Sequence, residues 1–411
     1  MVSSPTIAIA QHVLLVGAVV LLAGSLCEML ARRLGVPDIV LYLLAGVVLG
    51  PAVGQVIDVP ANSALSQIVL LFGASYILFD GGATLRFSVL REIWVTVLLL
   101  ATLGVAVTAA IVAVAAHYLL GIAPLVAALL GATIASTDPA TLIPVFRQVR
   151  VRERVAQTMI SESAANDAVA TIMTLAILSI ALGSGEFSLG LSLYRVGYEA
   201  LIGIAIGAIG GYIANVLVAH HRLGFLQEYL PLVTLIVVIA AYLQAGTAGA
   251  SGFMAVFVAG VVFGNRGSFG LELSETDAHR LAEFVLTTAL VMRMFVFVLL
   301  GTQVNFRLLN QYLWAAAGVV AVLMLLARPV TVFVSALPDR RAHWKMKELI
   351  FMCWTRETGV IPAALAGMLA GAGAPGADVI AAVTFMAVLL TILVQATTTR
   401  WLARKLDLLA A

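Results

Sequence analysis

The chain has 411 residues, 62% of them hydrophobic and 11% charged, with a formal net charge of +2 and a mean hydropathy of +1.09. That composition excludes an ordinary soluble domain and leaves too little positive charge for a nucleic-acid partner, so it predicts an all-α polytopic membrane protein. Cys27 and Cys353 lie in separate apolar runs and read as two thiols, and the first apolar run lacks the basic flank of a cleavable signal.

About 20 apolar residues cross a bilayer as a helix. Thirteen hydrophobic segments are predicted, near 11–31, 36–54, 64–84, 92–117, 122–146, 153–183, 192–219, 228–246, 249–265, 284–302, 312–335, 348–371 and 378–402. Arginine and lysine gather on alternate junctions: Arg32/Arg33, Arg86/Arg91, Arg147 to Arg154, Arg222, Arg266/Arg280, Arg340 to Lys347 and Arg400 to Lys405. The opposite junctions carry Arg195 and Arg307. Positive charge stays in the cytoplasm, so the N-terminus is expected outside and the C-terminus inside.

Three words recur at a nearly constant offset. Ala45-Gly-Val-Val-Leu-Gly50 returns as Ala259-Gly-Val-Val-Phe-Gly264. Gly82-Ala-Thr-Leu-Arg-Phe87 is echoed by Gly301-Thr-Gln-Val-Asn-Phe306, and Thr141-Leu-Ile-Pro144 by Gly359-Val-Ile-Pro362. The shift pairs spans seven apart. An odd shift inserts the copies with opposite topology, so spans 1–6 and 8–13 read as an inverted repeat.

Span 5 carries Ser136-Thr-Asp-Pro139. Proline has no amide hydrogen and pushes Asp138 out of helical geometry, which predicts a broken helix with oxygen ligands at the break. Span 6 holds Glu162-Ser163-Ala-Ala-Asn166-Asp167. Ser163 and Asp167 share one stripe and Glu162 and Asn166 the next, so one stripe can face a cation while the other ties into the protein. Charged side chains in a span cost roughly 2.5–3.5 kcal/mol each and mark ion or proton pathways. Span 12 has a matching break at Thr355-Arg356-Glu357-Thr-Gly359. Two crossing breaks present opposed helix ends, with Asp138 expected to neutralise one and Arg356 or Glu357 the other.

Arg328 in span 11 is the first choice to pair with Glu162, leaving Asp167 free. Arg293 in span 10 reads as a snorkelling side chain. Asp80, at the inner end of span 3, either faces a cytoplasmic entrance or caps a helix. The six histidines lie near interfaces; His220 and His221 could tune a pH response. No phosphate loop, zinc spacing or nucleophile elbow is present.

Thr137-Asp138-Pro139 followed by Glu162-Ser163-Ala-Ala-Asn166-Asp167 resembles the NhaP-type branch of the monovalent cation/proton antiporters, over essentially the whole chain. The resemblance implies that Asp167 carries either the proton or the cation. It implies that Thr137, the Asp138 backbone and Ser163 help coordinate the ion, that Asn166 steadies the site, and that Glu162 pairs with the span 11 arginine, here Arg328. An acidic residue like Asp80 is also found in such relatives. Span 12 departs from the family's usual Gly-Leu-Arg-Gly: Arg356 is displaced and Glu357 is added. The electrogenic variant has two adjacent aspartates and an intramembrane lysine. Here Asn166 takes the first position, and Lys345, Lys347 and Lys405 lie outside the spans, so one-for-one exchange is expected.

The expected cycle is alternating access with Na⁺ (K⁺ or Li⁺ as alternatives) competing with H⁺ for Asp167. A core of spans at about 92–183 and 312–402 would move against a scaffold at 11–84 and 192–302. The expected setting is a homodimer among lipids in a bacterial inner membrane, with no cofactor, nucleotide or cytosolic regulatory domain. A sodium-coupled organic anion symporter is the alternative within transport. An intramembrane aspartyl protease is the alternative among enzymes, although its Gly-x-Gly-Asp signature is absent.

Overall fold

The computed structural model describes residues 5–60, 63–183, 189–219 and 226–409. Arg222, His220 and His221 lie outside the described residues. All regular structure among the described residues is helical: α1 (Pro5–Leu34), α2 (Asp38–Leu49), α3 (Ala64–Ala83), α4 (Phe87–Leu99), α5 (Val105–Leu120), α6 (Pro124–Thr133), α7 (Pro139–Val149), α8 (Glu153–Ala181), α9 (Leu189–Ala219), α10 (Leu230–Thr247), α11 (Gly252–Gly264), α12 (Glu275–Thr302), α13 (Phe306–Val322), α14 (Arg328–Ala336), α15 (Met346–Trp354), α16 (Val360–Gly371), α17 (Ala377–Leu390) and α18 (Thr397–Lys405). Wide π-turns at Leu100–Gly104, Leu323–Ala327 and Thr391–Ala396 join α4 to α5, α13 to α14 and α17 to α18. Nine described helices are long and apolar enough to cross a membrane, and the four shorter apolar ones are α2, α6, α11 and α16.

Local chemistry explains where the helices start and stop. Ser63, Ser251 and Ser274 accept from the N–H groups of Ser66, Met254 and Asp277 at the starts of α3, α11 and α12. Asn305 does the same for α13 through Arg307 and Leu308. Gly121, at φ 65°, ends α5, and a proline opens α6.

The recurring glycine words are sites of close helix contact. In the first copy, a methyl group at Gly46 would strike the Val298 carbonyl and Gly301 of α12. In the second, a methyl group at Gly260 would strike Phe79 of α3, while one at Gly82 would strike Phe257 of α11. Thus α2 packs on α12 as α11 packs on α3, each through the recurring word. Without a hydrophobic drive between helices in lipid, such backbone approach supplies the packing energy.

Two of the apolar clusters draw on different helices. Val112, Leu130, Val319 and Val383 gather α5, α6, α13 and α17, whereas Phe79, Val238, Ala255 and Ala289 gather α3, α10, α11 and α12. A larger third cluster bridges them, from Leu43 and Phe297 to Phe146 and Phe351.

Gly301→Val should lower thermal stability by roughly 1–3 kcal/mol, as overpacking does. Gly367→Ala, where an added methyl group meets nothing within 4 Å, should be close to neutral. Paired melting curves of the two variants in detergent check this.

Candidate cation and proton site

Helix α6 ends at Thr133, and the chain turns through residues 134–136 and reaches Pro139, where α7 begins, with Asp138 extended. Helix α15 ends at Trp354, and its chain runs extended to Val360 at the start of α16. The two breaks cross: the Asp138 N–H donates to the Glu357 carbonyl at 2.9 Å. Spans 5 and 12 therefore break, and they break against each other.

Helix ends set the electrostatics of the crossing. The Asp138 carboxylate accepts from Ala140 N–H at 3.2 Å and from the Thr141 hydroxyl at 2.6 Å, at the start of α7. The start of α16 also faces it through Val360 N–H. A side chain at Gly359 would collide with this carboxylate, so the close approach requires glycine there. Arg356 does the opposite task. Its Nη2 donates to the carbonyls of Ile134 (2.7 Å), Ala135 (2.6 Å) and Ser136 (3.3 Å) beyond the end of α6, and its Nη1 donates to Thr358. An anion thus meets two positive helix starts and a cation meets a negative helix end. Of the two residues offered for the second role, Arg356 takes it; the Glu357 carboxylate oxygens have no hydrogen-bond partner.

Helix α8 faces this crossing. The Thr137 N–H donates to Asn166 Oδ1 at 3.2 Å, Asn166 Nδ2 donates to the Thr137 hydroxyl at 2.9 Å, and that hydroxyl donates to Ser163 Oγ at 2.9 Å. Asn166 therefore fixes Thr137 by both of its amide groups. Asp167 lies beside Ser136 outside hydrogen-bonding geometry, and neither of its oxygens has a partner.

Glu162 points elsewhere. Arg328 of α14 donates to it through both terminal nitrogens, at 2.5 and 2.9 Å, and through Nε to the Met352 carbonyl at 2.9 Å. This is the pairing expected from sequence. Thr137, Asp138, Glu162, Ser163, Asn166, Asp167, Arg328, Arg356 and Glu357 are each no more than 2% exposed. A buried ion pair of this kind is costly to form and more costly to break from one side.

One expectation changes, and one of two alternatives falls away. Arg293 does not snorkel; it is 11% exposed and lies 3.4 Å from the buried carboxylate of Asp38. The reason is that α12 packs on α2, which brings the guanidinium to an acid that would otherwise be unpaired. Asp80 is not a helix cap. It sits inside α3 and accepts from both terminal nitrogens of Arg147, at 2.6 and 2.8 Å. The pair lines a cavity of about 530 Å³ with Thr84 and Arg266, separate from the Asp167 group. In the sequence Arg147 reads only as one of the junction charges. Nothing at a separation of 67 residues links it to Asp80, apart from its place on the last turn of α7.

Among the described residues no group of three His, Cys, Asp or Glu side chains is placed to hold a metal ion. The oxygens that do converge, a carboxylate with hydroxyls, suit a weakly held hard cation.

A family model described as "Sodium/hydrogen exchanger, transmembrane" matches residues 17–405. Na(+)/H(+) antiporter 1 of Methanocaldococcus jannaschii is 30% identical to this chain, covering 94% of each. The K(+)/H(+) antiporter NhaP of Alkalimonas amylolytica is 28% identical, covering 96% of this chain and 67% of that one. A solved structure of the sodium proton antiporter MjNhaP1 from Methanocaldococcus jannaschii at pH 8 superposes with a TM-score of 0.74 at 28% identity, covering 98% of this chain and 100% of that one. The match extends through both broken helices, the carboxylate helix between them and the packing helices on either side, and so the chain belongs to the sodium/hydrogen exchanger family, as an NhaP-type cation/proton antiporter and not an enzyme.

Proposed function

We propose that Asp167 is the exchange group, binding either a proton or a monovalent cation but never both. The observation that carries this reading is that Asp167 is fully buried, beside the hydroxyl-rich break, with neither oxygen hydrogen-bonded. With the cation bound, Asp167 is ionised and neutralised by it, with Ser163, Thr137 and the Asp138 segment as further oxygen ligands. With the proton bound, Asp167 is neutral. Both forms are cheap to carry through a low-dielectric interior; the empty ionised form is penalised by desolvation, and that penalty couples the two fluxes.

Na⁺ is the first candidate cation, with K⁺ and Li⁺ as alternatives. Relatives named for sodium and for potassium match this chain about equally well. The basic junctions favour an N-terminus outside and a C-terminus in the cytoplasm, and a bacterial inner membrane is the proposed setting. We assign the moving core to residues 92–183 and 312–402 and the scaffold to 11–84 and 192–302, in a homodimer. The apolar clusters support that division, since α5, α6, α13 and α17 share one and α3, α10, α11 and α12 another.

Charge counting bears on stoichiometry. Asp138 is met by two helix starts, Arg356 by a helix end, and Glu162 by Arg328. Asp167 and Glu357 remain. With a cation on Asp167, an ionised Glu357 would leave one uncompensated charge in the site, so Glu357 keeps its proton throughout and the exchange is one-for-one.

In proteoliposomes holding a pH-sensitive dye, wild type should move protons on addition of the transported cation and Asp167→Asn should not; retained exchange in the variant would sink the assignment. On the acid side of the activity profile, the apparent KM for the cation should rise about tenfold per pH unit, as expected when one proton competes. A KM that does not change with pH contradicts competition.

Exchange by wild type and by Glu357→Gln should be insensitive to an imposed membrane voltage, since glutamine keeps the neutral form of that side chain. A voltage-driven flux in wild type that the variant abolishes would show that Glu357 carries a second proton.

A further inference from the structure

The basic face of the bundle holds a second built site, away from Asp167. A cavity of about 470 Å³ opens between α4, the start of α8 and the loop between α14 and α15. It is lined by Arg91, Arg154, Arg341 and His343, with Glu92 and Asp339 as its acids and Trp94 at its mouth. Among the described residues, no salt bridge engages Arg91, Arg154 or Arg341.

The acids do not neutralise this cavity: Glu92 and Asp339 stand against three guanidinium groups. Asp339 also has its oxygens engaged locally, accepting from the Thr96 N–H and hydroxyl, at 3.1 and 2.6 Å, and from Ala342 N–H at 3.3 Å. Arg154 is also held in place before any ligand arrives. The Trp344 indole N–H donates to the Thr96 hydroxyl at 2.9 Å, and the Arg154 guanidinium lies 4.2 Å over the Trp344 ring. In that position the Arg154 Nε is buried and has no hydrogen-bond partner. A buried donor without an acceptor is destabilising, and it is relieved by an anionic oxygen entering the cavity. His343 lines the same cavity with φ at 44°, an uncommon left-handed backbone for a residue with a side chain.

We propose that this cavity binds the phosphoryl headgroup of an anionic phospholipid. Arginine forks match phosphate oxygens two at a time, and basic pockets between helices at the bilayer surface take such headgroups. Trp94, 54% exposed at the mouth, is the residue type that sits at headgroup depth. The site ties α4, α8 and the α14–α15 loop together, and α8 and α14 carry Asp167 and Arg328. An occupied pocket would therefore brace the half of the bundle that holds the exchange group.

The test is lipid retention by the purified full chain in detergent, read by native mass spectrometry after titration with phosphatidylglycerol, phosphatidylcholine or inorganic phosphate. Wild type should hold phosphatidylglycerol in preference to phosphatidylcholine. Arg91→Gln and Arg154→Gln should each lower that retention about tenfold. Arg307→Gln, at the opposite end of the bundle, should leave it unchanged. Arg91 is exposed on α4, so its variant decides the matter even if Arg154→Gln folds poorly. Equal retention of the two lipids, or retention unmoved by the Arg91 variant, overturns the proposal. Inorganic phosphate that displaces phosphatidylglycerol at equal concentration assigns the pocket to a free anion and overturns the lipid assignment.

Discussion

Burial of charge without water is the constraint on which this structure turns. Four acids and two arginines sit together at the bundle centre, each essentially inaccessible to solvent. Each unpaired charge there would cost several kcal/mol. The fold answers with three devices: an arginine fork on Glu162, two helix starts on Asp138, and a helix end on Arg356. What is left over is Glu357 and Asp167, the latter the proposed exchange group. In the proposed exchange Asp167 serves because the other groups taken as ionised near it are already satisfied, which leaves a cation or a proton to settle it.

The broken helices are what make those devices available. An unbroken span hides its backbone dipoles in internal hydrogen bonds, with its free ends at the membrane surfaces. Breaking two spans at mid-depth brings four ends to one place. The Asp138 N–H to Glu357 carbonyl bond fixes the crossing, and Gly359 lets the Asp138 carboxylate reach the second helix start. Thr358 N–H, donating to the Thr391 hydroxyl at 3.0 Å, anchors the second break to the π-turn after α17. The surrounding helices can approach closely because Gly46, Gly82, Gly260 and Gly301 lack side chains. The same motif thus serves the two halves of the molecule in pairs.

Much of this was legible in the sequence because membrane chemistry restricts what can be buried. Proline after Asp138 announced the first break, and Pro362 with Gly359 announced the second. Glu162 and Arg328 read as a pair because a lone acid and a lone arginine in lipid must find each other. The limits were equally physical. Arg293 with Asp38, and Arg147 with Asp80, were missed because each pair joins helices far apart in the chain, and the distance between them depends on packing alone. Arg293 reads as a snorkelling side chain in sequence because its span offers no local acid. Glu357 was visible as an added acid, but whether it would find a partner depended on where Arg356 went.

The central claim is that cation and proton exclude each other at Asp167. The most direct measurement is proton release on cation binding, with purified protein in weakly buffered detergent and a pH indicator, near the pH of half-maximal exchange. The account predicts that saturating cation releases protons, up to one per binding site, with the release vanishing at alkaline pH where Asp167 is already ionised. Cation binding with no proton release at any pH would contradict it.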